Sequence, residues 1–496
     1  MAAATAAFFS PLTASVYLPA LPTVAKDFGV SLTDINLTVT TYMIFQGLTP
    51  MFVGAFADSA GRRPAYMFCF VVYMAANIGC ALAPNYVALL ILRMLQSAGS
   101  STTVALAQGV VSDIITSAER GRYIGYMSLP IMLGPSLGPV LGGALAEYLG
   151  WRWIFWILTI MCGCVTVAFL LWMPETCRGI VGDGSVRPKH LYHRSLWQVG
   201  KESLATRSRL RKQAQNSGQG EGQAVAAATA AVPPEQAVTR SKFNAFRALT
   251  LLVKPSMAIL LFYSSLVFAN FYCIMTSIPA QFSSVYHLTD LQTGLIYLPL
   301  GLGTMIGSQL AGRGLDWNFR RHCQRLGIPY ERKKQTDLSS FPLERARLEI
   351  GIPVLVAANC LVLIWGWVLY ARTHIAVPCV MLCLLGITLT GFSNTINTLI
   401  VDMNPTAASA ATASNNFTRC LMGAAASAAI QPMIEGVGPG WAFTILVAIS
   451  TVAAPPTFWL VLNKGMGWRK EEQERKKKRA EELEKKKREG VEGGEK

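Results

Sequence analysis

The residues best equipped for chemistry in this sequence lie in one short break between two long apolar runs, Gly54-Ala-Phe-Ala-Asp58-Ser-Ala-Gly61-Arg62-Arg63. Cations do not enter hydrocarbon cheaply and are favoured on the inner face of a membrane, so the stretch reads as a tight cytoplasmic elbow whose chemistry is ionic latching. The spacing recurs downstream. Gly312-Arg-Gly-Leu-Asp316 is followed by Arg320 and Arg321, so both copies read Gly, three residues, Asp, three residues, Arg-Arg, and the second lacks a glycine at the place of Gly61. Asp113 closes another apolar run, where Arg62 or Arg63 is its expected partner; Val-Asp402 ends a later run in the way Ser-Asp113 ends the earlier one.

A second group of polar residues sits inside the apolar runs. Arg93 lies a turn or two inside one of them, and an intramembrane cation is costly enough that a buried pair or a functional role is expected. Gln96 and Gln108 follow it on the same run. Tyr42 and Gln46 are four apart and share a helical face. Asn270, Phe271 and Tyr272 are mid-run, Asn394 and Asn397 are three apart, and Arg419 lies mid-run beside Asn415 and Asn416. Amides at membrane depth either glue helices together or line a cavity, and residue type leaves both readings open.

Enzymatic chemistry has no footing here. There is no phosphate-cradling loop, nucleophile triad, metal cluster or pair of carboxylates at a catalytic spacing. Gly301-Leu-Gly303-Thr-Met-Ile-Gly307 follows no strand and reads as helix packing. The eleven cysteines are scattered through apolar runs without CxxC pairs, so neither metal nor cofactor is expected. His190 and His193, three apart in a polar segment, are expected to be solvated.

The elements that must position these residues follow from composition. The chain has 496 residues, 52% of them hydrophobic and 15% charged, with a mean hydropathy of +0.37. Such a chain is an all-α polytopic membrane protein. About twelve runs reach the roughly 20 apolar residues a bilayer demands, near 2–24, 36–57, 65–84, 87–115, 123–146, 152–173, 255–280, 292–312, 351–371, 375–401, 408–434 and 440–462. The net charge of +16 does not point to nucleic acid, because the Lys and Arg residues sit in loops and the tail. Loops 58–64, 117–122, 177–254, 313–349 and the tail carry them, which predicts that both termini face the cytoplasm. Residues 177–254 read as a disordered cytoplasmic linker between six-helix bundles at 1–176 and 255–462, and 463–496 as a charged tail, solvated or against anionic lipid. The first span begins almost at Met1, so either the N-terminus is minimal or a tail lies upstream of this sequence.

The fifth run holds Gly134-Pro135-Ser-Leu-Gly138-Pro139-Val-Leu-Gly142-Gly143. Glycines every fourth residue flatten one helix face for close backbone approach, and the prolines allow bending, so these six residues are a candidate packing hinge. Three motifs together carry a resemblance. The first elbow resembles the loop after the second helix of the major facilitator superfamily; Leu92-Arg93-Met-Leu-Gln96-Ser-Ala-Gly99 resembles its fourth-helix motif; the Gly/Pro stretch resembles the fifth-helix signature of its antiporters. Pro174-Glu175-Thr176-Cys177-Arg178-Gly-Ile180-Val181-Gly182-Asp183-Gly184-Ser185 resembles the signature of fungal twelve-span drug:proton antiporters of the quinidine-resistance branch. Ser15-Val-Tyr17-Leu-Pro19, Asp316-Trp-Asn-Phe-Arg320-Arg321 and Asn415-Asn416-Phe-Thr-Arg419-Cys420 are further pieces similar to that branch.

The resemblance implies a fold of twelve transmembrane helices in two pseudo-symmetric six-helix bundles, a monomer in the plasma membrane, and proton-coupled export of small organic compounds. Its cavity-facing helices place Tyr42, Gln46, Arg93, Gln108, Asn270, Phe271, Tyr272, Asn394 and Asn397 as substrate-lining candidates for an amphipathic or cationic compound. Gly54, Asp58, Gly61, Arg62, Arg63, Asp113, Asp316 and Arg320 become gating candidates. Partners are then a small-molecule substrate, protons and the lipid bilayer. The residues themselves offer no carboxylate in the middle of a span, where proton coupling ordinarily wants one. An uncoupled facilitator and a transporter-derived nutrient receptor therefore remain alternatives.

Overall fold

The computed structural model describes residues 2–114, 120–182, 191–195, 197–198, 252–325, 342–403 and 408–492. Among them all regular structure is helical: α1 (Ala2–Val16), α2 (Leu21–Phe28), α3 (Leu32–Ala60), α4 (Arg62–Ala81), α5 (Tyr86–Ile114), α6 (Arg120–Tyr148), α7 (Arg152–Trp172), α8 (Arg178–Val181), α9 (Pro255–Tyr286), α10 (Asp290–Leu295), α11 (Tyr297–Arg325), α12 (Leu343–Tyr370), α13 (Ala376–Met403) and α14 (Ala408–Glu492). Most of the expected linker, 177–254, lies outside the described residues.

Eight helical stretches are long and apolar enough to cross a membrane. Helices α3, α5 and α6, at 29 residues each, match them in length. The last stretch is two helices, since Gly438 breaks α14 with φ 80° and ψ 162° and Pro439 follows it. The described residues thus supply twelve long helical segments. Large apolar side chains such as Phe68, Val71, Leu302, Val452 and Trp459 are exposed, which suits a surface whose solvent is lipid.

The chain forms two compact units. The first comprises Met1–Ala14, Leu48–Gly134 and Arg152–Ala245, the second Ser15–Gly47, Pro135–Trp151 and Phe246–Lys496. In the first, α4 packs on α5 and α7, with Tyr66, Phe70 and Phe169 in edge and tilted ring contacts at 5.0–5.8 Å. In the second, α9 packs on α14, α11 on α13, and α12 on both α13 and α14; Tyr263, Phe392 and Phe458 form the aromatic node there.

The Gly/Pro stretch packs backbone against backbone. In the first unit a Cβ on Gly134 would lie 2.9 Å from the Leu12 nitrogen and the Pro11 ring. In the second, a Cβ on Gly142 would run into the Val16 carbonyl and one on Gly143 into the Asp290 backbone; Gly294 of α10 gives the same room to the Pro139 carbonyl. Gly138 and Pro139 are buried there and Pro135 is half-buried. The C-terminal end of α6 is tied down beside this contact. Glu147 accepts the Leu291 N–H at 2.9 Å, and hydrogen bonds from Thr289 and Leu291 hold its carboxyl below the usual carboxylate range.

Candidate functional site

The first elbow is built on a single residue of unusual backbone. Gly61 has φ +109°, a region closed to L side chains, and a Cβ there would also strike the Glu175 carboxylate. Helix α3 therefore stops at Ala60 and α4 starts at Arg62. Arg62 pairs with Asp113 (Nε to Oδ2, 2.9 Å) and with Asp58 (Nη1 to Oδ1, 2.7 Å). Gly109 makes that reach possible, since a Cβ on it would sit 2.9 Å from Arg62 Cζ. Arg63 does something else: its guanidinium donates to the carbonyls of Met173 and Leu170 at the end of α7, where carbonyls lack helical partners and the helix dipole favours a cation. Of the two arginines, the partner of Asp113 is Arg62. Gly54 has open space where a Cβ would stand.

Glu175 completes the elbow. Its side chain is fully buried and accepts the N–H groups of Arg62 (2.8 Å), Arg63 (3.3 Å), Thr176 (2.9 Å) and Cys177 (3.0 Å). A carboxylate at the start of α4 satisfies donors that no helix can satisfy for itself. His193 lies 3.0 Å from the same carboxylate through Nδ1 and is 5% exposed. The expectation that His193 is solvated is therefore corrected: the chain after α7 turns back, with Glu175 N–H donating to the His193 carbonyl at 3.2 Å, and burial follows. His190 lies outside the described residues.

The second unit holds a comparable ion pair with a different donor. Asp402 accepts from Nε and Nη2 of Arg347 at 3.1 and 3.0 Å, and Arg347 Nη1 donates to the Leu315 carbonyl at 3.3 Å. Asp316 and Arg320 are exposed on α11. Arg347 lies in the first turns of α12 and outside the repeat itself, so its one sequence signal is a basic residue just ahead of an apolar span. At the start of the charged tail, Arg469 pairs with buried Glu344 at 2.8 Å.

At membrane depth in the first unit, a hydrogen-bonded line runs through three helices. Thr13 meets the Tyr73 hydroxyl at 2.6 Å, Asn77 donates to the Tyr73 carbonyl at 2.7 Å, Gln96 donates to Asn77 at 2.7 Å, and Arg93 donates to Gln96. Arg93, Gln96 and Asn77 are fully buried. Gln108 is exposed on α5.

In the second unit the amides divide. Asn270 donates to Ser450 at 2.9 Å, Asn394 to Ser308 at 3.1 Å, and Asn415 to Asn397 at 3.3 Å, so these three hold neighbouring helices. The aromatic candidates gather elsewhere. Phe268, Phe271 and Tyr272 of α9 have ring centroids 4.8–6.5 Å apart, and the guanidinium of Arg419 lies over Phe268 at 4.3 Å. Helix α3 joins them: Asn416 donates to the Gln46 carbonyl at 3.4 Å, Tyr42 is within electrostatic range of Tyr272, and a Cβ on Gly47 would be 2.9 Å from that of Cys420. Tyr42 is buried; Gln46, Phe268, Phe271, Tyr272 and Arg419 are half-buried. Tyr42, Gln46, Phe271 and Tyr272 thus come together, and the residues not chosen from sequence are Phe268 and Arg419. An arginine in mid-span was the available signal.

The chain matches the Major Facilitator Superfamily over residues 3–427. It belongs to that family. Among curated proteins it is 43% identical to the MFS-type transporter phiD of a fungal species, over 96% of this chain and 69% of the relative. It is 42% identical to the MFS-type transporter tstD of Talaromyces stipitatus, over 95% and 82%. Citrate exporter 1 of Aspergillus niger is 36% identical, over 96% and 87%. Among solved structures, the human organic anion transporter MFSD10 (TETRAN) aligns over 93% of this chain and 98% of that one with a TM-score of 0.52 at 15% identity, a likeness of fold. The protein is a multi-pass membrane transporter of small molecules, with the helical major facilitator fold.

Proposed function

We propose that the transporter exports small organic compounds by alternating access, driven by proton antiport, as a plasma-membrane monomer of the drug:proton antiporter type with both termini in the cytoplasm. The observation that carries the reading is the cluster of Tyr42, Gln46, Phe268, Phe271 and Tyr272 in the second unit, an aromatic and amide lining of the kind that holds an amphipathic organic body. The outward direction draws support from the relative named as a citrate exporter. Arg62 with Asp58 and Asp113, and Arg347 with Asp402, serve as ion-paired latches that form and break with the conformational cycle.

The test is flux from liposomes containing the purified full-length chain and loaded with labelled organic compounds: citrate, aromatic carboxylates, their amides and amphipathic amines. Efflux that rises with an opposing proton gradient supports antiport. Efflux indifferent to the gradient identifies a facilitator, and saturable binding with no flux identifies a receptor.

A further inference from the structure

Among the described residues of the second unit, Arg419 is the one charged side chain in the middle of an apolar span. A cation there is costly unless something neutralises it. The carboxylates that could do so are engaged elsewhere: Asp402 with Arg347, Glu344 with Arg469, Glu349 with His322, and Glu435 with Gln431. Among the described residues no carboxylate pairs with Arg419, and its buried Nε has no hydrogen-bond acceptor. Phe268 stabilises the guanidinium through its π face at 4.3 Å. That contact uses none of the five N–H donors, which form a fork matched to a carboxylate. The residue keeps partial exposure rather than being fully enclosed by packing.

We propose that Arg419 is the anion subsite of the transporter, and that its substrates carry a carboxylate or comparable delocalised anion on an aromatic or conjugated body. The anion takes the guanidinium fork, and the body lies against Phe268, Phe271 and Tyr272. The inference rests on the reading of the chain as a carrier of small organic compounds and replaces a cationic substrate preference with an anionic one.

The test uses purified full-length protein in lipid nanodiscs and three probes of one shape: 2-naphthoate, 2-naphthamide and 2-naphthylmethylammonium. The wild-type chain is expected to bind naphthoate about tenfold or more tighter than naphthamide, the amine weakest, as a charge-assisted fork requires. R419Q should erase the preference for the anion while naphthamide binding falls far less, and R419K should restore part of it. An equal loss for both probes in R419Q, or a wild-type chain that does not prefer the anion or binds none of the probes, overturns the proposal. Where R419Q does not fold, the wild-type preference and R419K decide. Flux of the same probes from liposomes separates the two readings: Arg419-dependent anion binding without flux defeats export and keeps the subsite, whereas flux without anion preference keeps export and defeats the subsite.

Discussion

Two arginines at membrane depth, Arg93 in the first unit and Arg419 in the second, carry the same charge and are held in opposite ways. Arg93 is fully buried and ends a line of hydrogen bonds through Gln96, Asn77 and Tyr73 to Thr13. Arg419 is half-buried over an aromatic ring, with an Nε that no described residue accepts. The first arrangement spends the cation on joining helices. The second leaves the guanidinium against a ring and partly exposed. Charge and depth alone therefore do not mark a binding group; what separates the two is that Arg93 is fully enclosed by the chain and Arg419 keeps partial exposure.

The comparison can be broken or sharpened by substitution, with unfolding of the purified protein in detergent as the common readout. The largest loss is expected at the first elbow, where both guanidinium and carboxylate are mostly buried. Asp113→Ala leaves Arg62 with only the exposed Asp58, and breaking such a pair should cost about 3 kcal/mol. Arg93→Ala comes next, at about 1.5–3 kcal/mol, because Gln96 loses a charged donor in a buried place. Asn77→Ala removes one neutral member of the same line and should cost about 1 kcal/mol. Arg419→Ala should cost the least of the four, under about 1 kcal/mol, since a cation over one ring at a partly exposed site is all that is lost. If Arg419→Ala destabilises as much as Arg93→Ala, the distinction between a structural and an available cation is wrong.

A second contrast concerns the two carboxylates around Arg62. Asp58 is more than half exposed and Asp113 mostly buried, so Asp58→Asn should change stability by no more than about 1 kcal/mol. Its effect belongs in transport turnover at saturating substrate, measured in liposomes, with apparent affinity little altered because no substrate touches it. A loss of affinity with unchanged turnover would remove Asp58 from the latch.

Much was legible before any coordinates. Apolar runs of bilayer length, separated by short basic breaks, determine a helical membrane protein, because backbone polar groups in lipid must be satisfied within the segment itself. The elbow at Gly61 was equally readable, since a glycine between two apolar runs and ahead of paired arginines leaves few other conformations. Residue type also announced that Arg93 and Arg419 needed explaining.

Tertiary structure alone decided what each polar residue is for. Nothing in the spacing separates Arg62 from Arg63, yet one reaches across Gly109 to Asp113 and the other caps α7. His193 looked like part of a solvated segment and is buried because Glu175 has a lone pair for it. Asp402 finds Arg347 on a different helix from the repeated Arg320 and Arg321. Asn270, Asn394 and Asn397 bind neighbouring helices while Tyr42, Phe271 and Tyr272 gather beside Arg419. The physical reason is the same in each case. Helical periodicity assigns a residue to a face, but which donors and acceptors meet that face depends on segments far away in the chain, and only their packing settles whether a polar group is satisfied from within or left for a ligand.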